Sequence, residues 1–351
     1  MFIQEKGDRM NIGIIGVSGY SGMVLYALLR EHPAINKIFL YGNKEQLESR
    51  RLAEVVPAFG SSEAVIQPFD AQTVQQEVNC LFCATPAGIT SELMPEFLEK
   101  KFPVIDLSGD FRLKESKQYE KWYQQKNRQL PSSEQITYGL ADFVETYHSY
   151  VANPGCYATA TLLSLAPLAQ AQILQKDSVI VDAKSGVSGA GKKLTESSHF
   201  SFINENAWVY KPNQHQHIPE ITQQLQQWDP ELTTIQFTTT LLPITRGIMV
   251  TSYVKLTKDY TQEEIEELFT TCYQNTPFVR YRGATLPMMK EVVGSNYCDI
   301  GTVWNEETQV LTIVSVIDNL VKGAAGQAVQ NFNKMFGFDE MSGLPLFPQF
   351  P

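Results

Sequence analysis

Residues 11–30, NIGIIGVSGYSGMVLYALLR, constrain the fold more than any other stretch of the chain. Residues 11–15 read as a short buried strand, Gly16-Val-Ser-Gly-Tyr-Ser-Gly22 as a glycine turn, and residues 23–30 as a helix. That order builds a cradle for the pyrophosphate of a dinucleotide. Small residues let the backbone close on the phosphates, and the helix N-terminus points its N–H groups at them. The spacing is G-x-x-G-x-x-G at 16, 19 and 22 rather than G-x-G-x-x-G, and glycine turns of this kind also occur where nothing binds, so the context decides.

The context is an alternation of strands and helices. The next strand, 35–41, ends in Gly42-Asn43-Lys44 with no acidic residue where an NAD site would place one on the ribose. Lys44, Arg50 or Arg51 can instead meet a 2′-phosphate, which favours NADP(H); the plain alternative for each cation is a solvated surface. Apolar strands at 79–84 and 103–107 flank a helical stretch at 90–100, the pattern of a doubly wound parallel sheet. Ser108-Gly-Asp-Phe-Arg112 closes the second of them at its carboxyl end, where ligands of such sheets bind, so Arg112 is a candidate anion clamp. Residues 113–150 are polar and read as a helix and a connection out of the first domain. Cys80 and Cys83 form a C-x-x-C, but inside an apolar strand their side chains face opposite ways, which reads as core rather than a metal or redox pair.

Residues 151–167, VANPGCYATATLLSLAP, place Cys156 directly after a turn and at the start of a buried helix. There the helix dipole and unpaired N–H groups favour thiolate and can receive charge from an attacked carbonyl. The competing reading is a small buried hydrophobe. Downstream, a strand at 178–183 runs into Lys184-Ser-Gly-Val-Ser-Gly-Ala-Gly-Lys-Lys193. Gly186 to Lys192 fits the first seven places of a P-loop, but Lys193 replaces the hydroxyl that would hold Mg²⁺, so nucleotide triphosphate hydrolysis is demoted. What remains is a backbone loop with nearby lysines. His215 and His217 precede a helix starting near Pro219. Without partner ligands they suggest a base for a thiol rather than a metal site, and Glu220 is placed to orient that base or to hold a substrate group. Strands at 233–242, 247–256, 299–304 and 309–317 complete a mixed α+β second domain. The last helix, 319–336, carries Gly323-Ala-Ala-Gly326, so it packs closely against another backbone or a cofactor.

The chain has 351 residues, enough for two domains, and no apolar run long enough to span a membrane. A net charge of −10 argues against nucleic acid as a partner, and requires that any anionic substrate meet a local basic cluster. Five cysteines in an odd, sparse set fit a reducing cytoplasm, and MFIQEKGDRM has no apolar secretory core, so the expected location is cytoplasmic.

Eight motifs in order make the chain resemble the N-acetyl-γ-glutamyl-phosphate reductase family of the semialdehyde dehydrogenase superfamily. They are GVSGYSG at 16–22, VIDLSGDFRL at 104–113, ANPGCYAT at 152–159, KSGVSGAGKK at 184–193, HQHIPEI at 215–221, LLPITRGI at 241–248, GSNYCDIG at 294–301 and DNLVKGAAGQAVQ at 318–330. The resemblance implies an α/β fold: a Rossmann-like doubly wound NADP-binding domain at 1–150, an α+β mixed-sheet catalytic and dimerisation domain at 151–318, and a C-terminal helix at 319–351 rejoining the first. It implies Cys156 as nucleophile; of the two histidines, His217 is preferred to His215 as acid/base because it lies closer to the helix start and to Glu220, with the choice between them left open. The cofactor set is then Gly16, Ser18, Gly19, Tyr20, Ser21, Gly22, Lys44, Ser188, Gly189 and Asn319; the basic cluster that the net charge requires for an anionic substrate is assigned to Arg112, Lys184 and Arg246, with Glu220 beside them. The implied partners are a small acyl phosphate and further copies of the chain, as dimer or tetramer. Three places depart from the family's pattern: Ala87 in Pro-Ala-Gly, Ala158 after Cys-Tyr, and Ala141-Asp142. Three rival functions are a different semialdehyde dehydrogenase, acting on aspartyl phosphate or carrier-linked aminoadipate, a P-loop hydrolase, and a dinucleotide-binding redox sensor.

Overall fold

The computed structural model describes residues 9–42, 48–60, 62–125 and 135–349. Contacts divide the chain into two compact units, Met1–Pro154 with Ala324–Leu344 and Gly155–Gly323 with Pro345–Pro351. The sequence reading divides at 150/151 and 318/319. It also sends the whole C-terminus to the first unit, whereas the final segment packs with the second. There Pro345 O accepts from Asn296 N–H (2.9 Å) and Val293 O from Gln349 N–H (2.8 Å).

Among the described residues the first unit holds an eight-stranded sheet of β1 (Met10–Ile15), β2 (Ile35–Tyr41), β3 (Arg50–Arg51), β4 (Val65–Gln67), β5 (Cys80–Cys83), β6 (Val104–Asp106), β7 (Ile136–Tyr138) and β8 (Tyr150–Ala152). The spatial order is β3-β4-β2-β1-β5-β6-β8-β7, parallel throughout except for the β3–β4 pair. The chain therefore winds outward in both directions from β1 and β5, and the turns leaving these two strands diverge at the switch point. Cys80 and Cys83 are both buried within β5.

Three sequence expectations change here. Residues 113–150 do not simply lead out of the sheet. They contribute β7 and, at their end, β8, whose three residues each are too short to show a period of two. The helix expected at 90–100 is two, Thr90–Leu93 and Pro95–Glu99, because Pro95 brings no N–H for the turn before it. The helix expected at 319–336 opens as a π-turn, Val321–Ala325, and becomes α-helical only over Gly326–Phe336.

The second unit's sheet contains β9 (Ile180–Ser185), β10 (Trp208–Tyr210), β11 (Gln236–Leu241), β12 (Ile248–Val254), β13 (Val279–Tyr281), β14 (Cys298–Asn305) and β15 (Val310–Ile317), in the order β10-β11-β9-β12-β15-β14-β13. It is mixed: β9–β11 and β13–β14 pair parallel, the rest antiparallel. On one face lies the Cys156–Gln170 helix, in which every residue from Tyr157 to Ala169 is buried. Ser315 Oγ donates to Ala160 O of that helix (2.9 Å), which marks the covered face. Register carries the assignment across the sheet: Ser315 opposes Val250, Val250 opposes Ala183, and Ser185 lies on the same face two residues on.

Candidate active site

In the first unit the cradle forms between β1 and the Tyr20–Arg30 helix. Gly16 has φ +88°, and a Cβ there would lie 2.4 Å from Ala84 O; at Gly22 it would lie 2.1 Å from Gly16 O. The fold itself therefore demands glycine at both positions. Gly19 is different, since a Cβ there meets nothing nearer than Gly16 O at 3.6 Å. Its missing side chain is not required by packing and leaves the backbone bare where a phosphate would approach, beside a helix N-terminus that has no side-chain cap and no acid in its first turn. Gly16, Ser18, Gly19, Tyr20, Ser21 and Gly22 are thus contiguous around one turn. Arg50 and Arg51 are exposed on β3, Arg51 paired with Glu63 at 3.2 Å, while Lys44 lies outside the described residues.

Two loops beside the cradle are tied together by Asp110. Its carboxylate accepts from Gly88 N–H (2.7 Å), Ser91 N–H (2.9 Å), Thr90 Oγ1 (2.8 Å) and Tyr119 Oη (2.7 Å). Close by, burial and then the Asp110 charge push Asp106 up to about 6. Arg112 is buried and gives N–H groups to Asn153 O (2.8 Å) and Leu107 O (2.7 Å), so much of its guanidinium braces the ends of its own strands.

In the second unit Cys156 is half-buried and occupies the first position of its helix, with Gly155 as N-cap and no acidic residue in the first turn. The positive end of the helix is therefore aimed at the thiol. The His217–Trp228 helix supplies the partner. His217 and Glu220, three apart, share a face, and both address Gly155. Glu220 Oε1 accepts Gly155 N–H at 2.8 Å, and a Cβ on Gly155 would fall 2.2 Å from His217 Nε2. Glycine is what lets the imidazole lie directly against the residue before Cys156.

His215 has another job. Its Nδ1 accepts His217 N–H (3.2 Å), and its ring packs edge-on to Tyr157. Burial, then the neighbouring His217 and Lys211 charges, lower it to about 2, against an opposing effect of Glu220. It is a neutral support. Tyr157 and Tyr210 share a hydrogen bond between their hydroxyls (3.0 Å). Burial pushes Tyr210 up to about 12, eased by the Tyr157 bond and reinforced by Cys156, and Tyr157 is raised further, so both phenols stay protonated donors. Sequence reasoning missed this pair, although Tyr157 directly follows Cys156.

The remaining candidates separate into two groups. Asn319 joins Ser188 and Gly247: its Oδ1 accepts Gly247 N–H (2.8 Å) and its Nδ2 donates to Ser188 Oγ (2.9 Å), with Gly189 adjoining. Arg246 is held by Asp318 at 2.9 Å. Lys184 and Glu220 do not stand as expected. Lys184 alternates with Ser185, so it lies on the sheet face opposite the Cys156 helix, where it pairs with Asp182. Glu220 is wholly buried on Gly155 rather than turned toward a substrate.

Two family models match the chain: semialdehyde dehydrogenase, NAD binding domain, over residues 11–150, and semialdehyde dehydrogenase, dimerisation domain, over residues 156–319. It is 51% identical to N-acetyl-gamma-glutamyl-phosphate reductase 2 of Lactiplantibacillus plantarum and 49% identical to the N-acetyl-gamma-glutamyl-phosphate reductase of Limosilactobacillus fermentum, each match covering 97% of this chain and 100% of the relative. Among solved structures it is similar in fold to aspartate semialdehyde dehydrogenase II of Vibrio cholerae, with a TM-score of 0.68 at 16% identity over 94% of this chain and 98% of the other. The enzyme of Candida albicans solved with NADP gives 0.64 at 12% identity over 93% and 98%.

The site predicts an order of thiol reactivity. Burial pushes Cys272 up to about 11 and raises Cys80 and Cys83, and Cys298 is buried. With limiting iodoacetamide on the native protein, Cys156 should be carboxamidomethylated at least about tenfold faster than Cys272. Peptide mass mapping reads the order, and equal labelling of the two would remove the special status of Cys156.

Proposed function

The chain belongs to the N-acetyl-γ-glutamyl-phosphate reductase family of semialdehyde dehydrogenases, and from that premise we infer that it reduces N-acetyl-L-glutamyl 5-phosphate to the 5-semialdehyde and phosphate with NADPH, as a step of arginine biosynthesis in the cytoplasm. The observation that carries the reading is Cys156 at an uncapped helix start with His217 against its preceding residue.

The chemistry follows from these two groups. The Cys156 thiolate attacks the acyl carbon; a C–S bond forms, the bond from carbon to the phosphate oxygen breaks, and phosphate leaves. The N–H groups of the helix start stabilise the charge on the carbonyl oxygen during attack. Residues 16–22 would hold NADPH, which would supply the hydride that takes the thioester carbonyl to the oxidation level of an aldehyde. His217 then gives a proton to the carbonyl-derived oxygen and takes it back as the C–S bond breaks, returning the thiolate. Arg246 meets the anionic groups of the substrate. Ser188, Gly189 and Asn319 serve the nicotinamide end of the cofactor, and Arg50 or Lys44 its 2′-phosphate.

A second copy is expected on the sheet face opposite the Cys156 helix, beyond the part that Val292 and Met289 cover. Directly opposed residues Ile180, Tyr253, Thr312 and Val303 cross four strands there, and Ile180, Tyr253 and Val303 are 48%, 40% and 39% exposed. An apolar row of this kind, in a region matched by a dimerisation-domain model, fits an isologous contact. Tyr253→Glu should halve the mass seen by light scattering at micromolar concentration; an unchanged mass would place the contact elsewhere.

Two kinetic outcomes test the reaction. NADP⁺- and phosphate-dependent oxidation of N-acetylglutamate semialdehyde should far exceed that of aspartate semialdehyde, and Cys156→Ser should lose about 10³-fold or more; full activity in the serine variant would exclude the covalent step. Burial holds His215 well below the ordinary imidazole range, so His215 is not expected to carry the histidine limb of the kcat/KM profile. His217→Asn should abolish that limb and His215→Asn should keep it, and the reverse result would exchange their roles.

A further inference from the structure

Asp318 directly follows β15 with no side-chain exposure, and its carboxylate is used by four groups. Arg246 Nη2 donates to Oδ1 at 3.0 Å and lies 2.9 Å from Oδ2, while the N–H groups of Gly294 (2.7 Å), Leu320 (2.8 Å) and Val321 (3.1 Å) complete the set. The main-chain carbonyl of the same residue accepts Gly323 N–H at 2.9 Å, five residues on, which is the spacing that opens the π-turn. The turn brings Gly323 against the nucleophile: a Cβ there would lie 2.8 Å from Cys156 Cβ and 3.2 Å from its Cα. One residue thus fixes a guanidinium by its side chain and the backing of Cys156 by its main chain.

A buried ion pair is a weak source of stability, because desolvation offsets most of the attraction. Arg246 gains even less than usual, since its Nε is buried with no acceptor among the described residues. What the arrangement fixes is geometry: the Arg246 guanidinium through the Asp318 side chain, and the backing of Cys156 through its main chain. Resting on the function proposed above, we propose that Asp318 is a positioning residue. Its carboxylate aims Arg246 at the anionic groups of the substrate, and its carbonyl sets the turn that seats Cys156.

The test combines steady-state kinetics in the phosphate-dependent oxidative direction with the rate of Cys156 alkylation by iodoacetamide. Asp318→Asn keeps an oxygen for the backbone N–H groups but removes the charge. It should raise KM for phosphate or semialdehyde about tenfold, with kcat within about threefold and alkylation within about twofold of the parent. Introduced into Arg246→Gln, the same change should move KM by less than about twofold, because the partner through which it acts is gone. Gly323→Ala leaves Asp318 intact and should show the opposite split: kcat down about tenfold or more, KM held, and alkylation of Cys156 altered at least about threefold. An undiminished KM effect in the Arg246→Gln background, or unchanged alkylation in Gly323→Ala, would overturn the proposal. Should the substrate assignment itself be wrong, the parent protein shows no turnover on N-acetylglutamate semialdehyde, while the alkylation arm still reports on the seat.

Discussion

The burial of one helix on all sides sets the chemistry of the second unit. Between Tyr157 and Ala169 no residue of the Cys156 helix reaches solvent, and Ser315 fixes its height by bonding to the carbonyl of Ala160. A helix that is apolar all round gains nothing by rotating and cannot slide without opening voids at native packing density. Its first residue is therefore held where the end of the dipole points. The N-terminus of an ordinary surface helix would be capped by a serine or aspartate; here the cap is Gly155, whose N–H is taken by Glu220 and whose absent side chain admits an imidazole. Because the cap residue itself offers no side-chain acceptor to the first turn, the electrostatic effect of that turn is kept for the sulfur.

The two histidines show how closely spaced residues of one type acquire different roles. Both lie in one short motif, but His217 begins a helix and faces Gly155, while His215 is sunk among Tyr157, Tyr210 and Phe237. Desolvation there disfavours the cation, so His215 accepts a hydrogen bond from the main chain of its neighbour and keeps that neighbour in place. The environment, rather than the residue type, divides them: His217 stands against Gly155, and His215 is buried behind it as a support.

Much of this was legible in the sequence, and the parts that were not have physical reasons. The cradle at Gly16–Gly22, the helix start at Cys156 and the buried Cys80–Cys83 strand all rest on local chemistry: turn residues, periodicity and apolar runs. β7, β8, β10 and β13 went unseen because three-residue strands carry almost no period and are specified by their neighbours in the sheet. Lys184 was assigned to the substrate on charge alone; which face of β9 it occupies depends on a register that only pairing with β12 fixes. Asp318 and Tyr210 act through partners distant in sequence, Arg246 and Tyr157, and no spacing rule links such pairs. A signal did exist for Asp318, an acidic residue at the end of an apolar strand and directly before Asn319, since a charge in that position is seldom left without a partner.

The π-turn at Val321–Ala325 has a consequence for everything that follows it. A π-turn is an α-helix with one residue to spare, and each residue of an α-helix advances the azimuth by about 100°. The surplus residue therefore acts as a phase shifter for the Gly326–Phe336 helix. It sets the angle at which Phe332 meets Phe82, Asn331 meets the carbonyl of Gly139 and Asn333 meets His32. Losing a single residue there would let the turn close as α-helix and would rotate that whole set of contacts out of alignment, so the length of this short segment is as constrained as its composition.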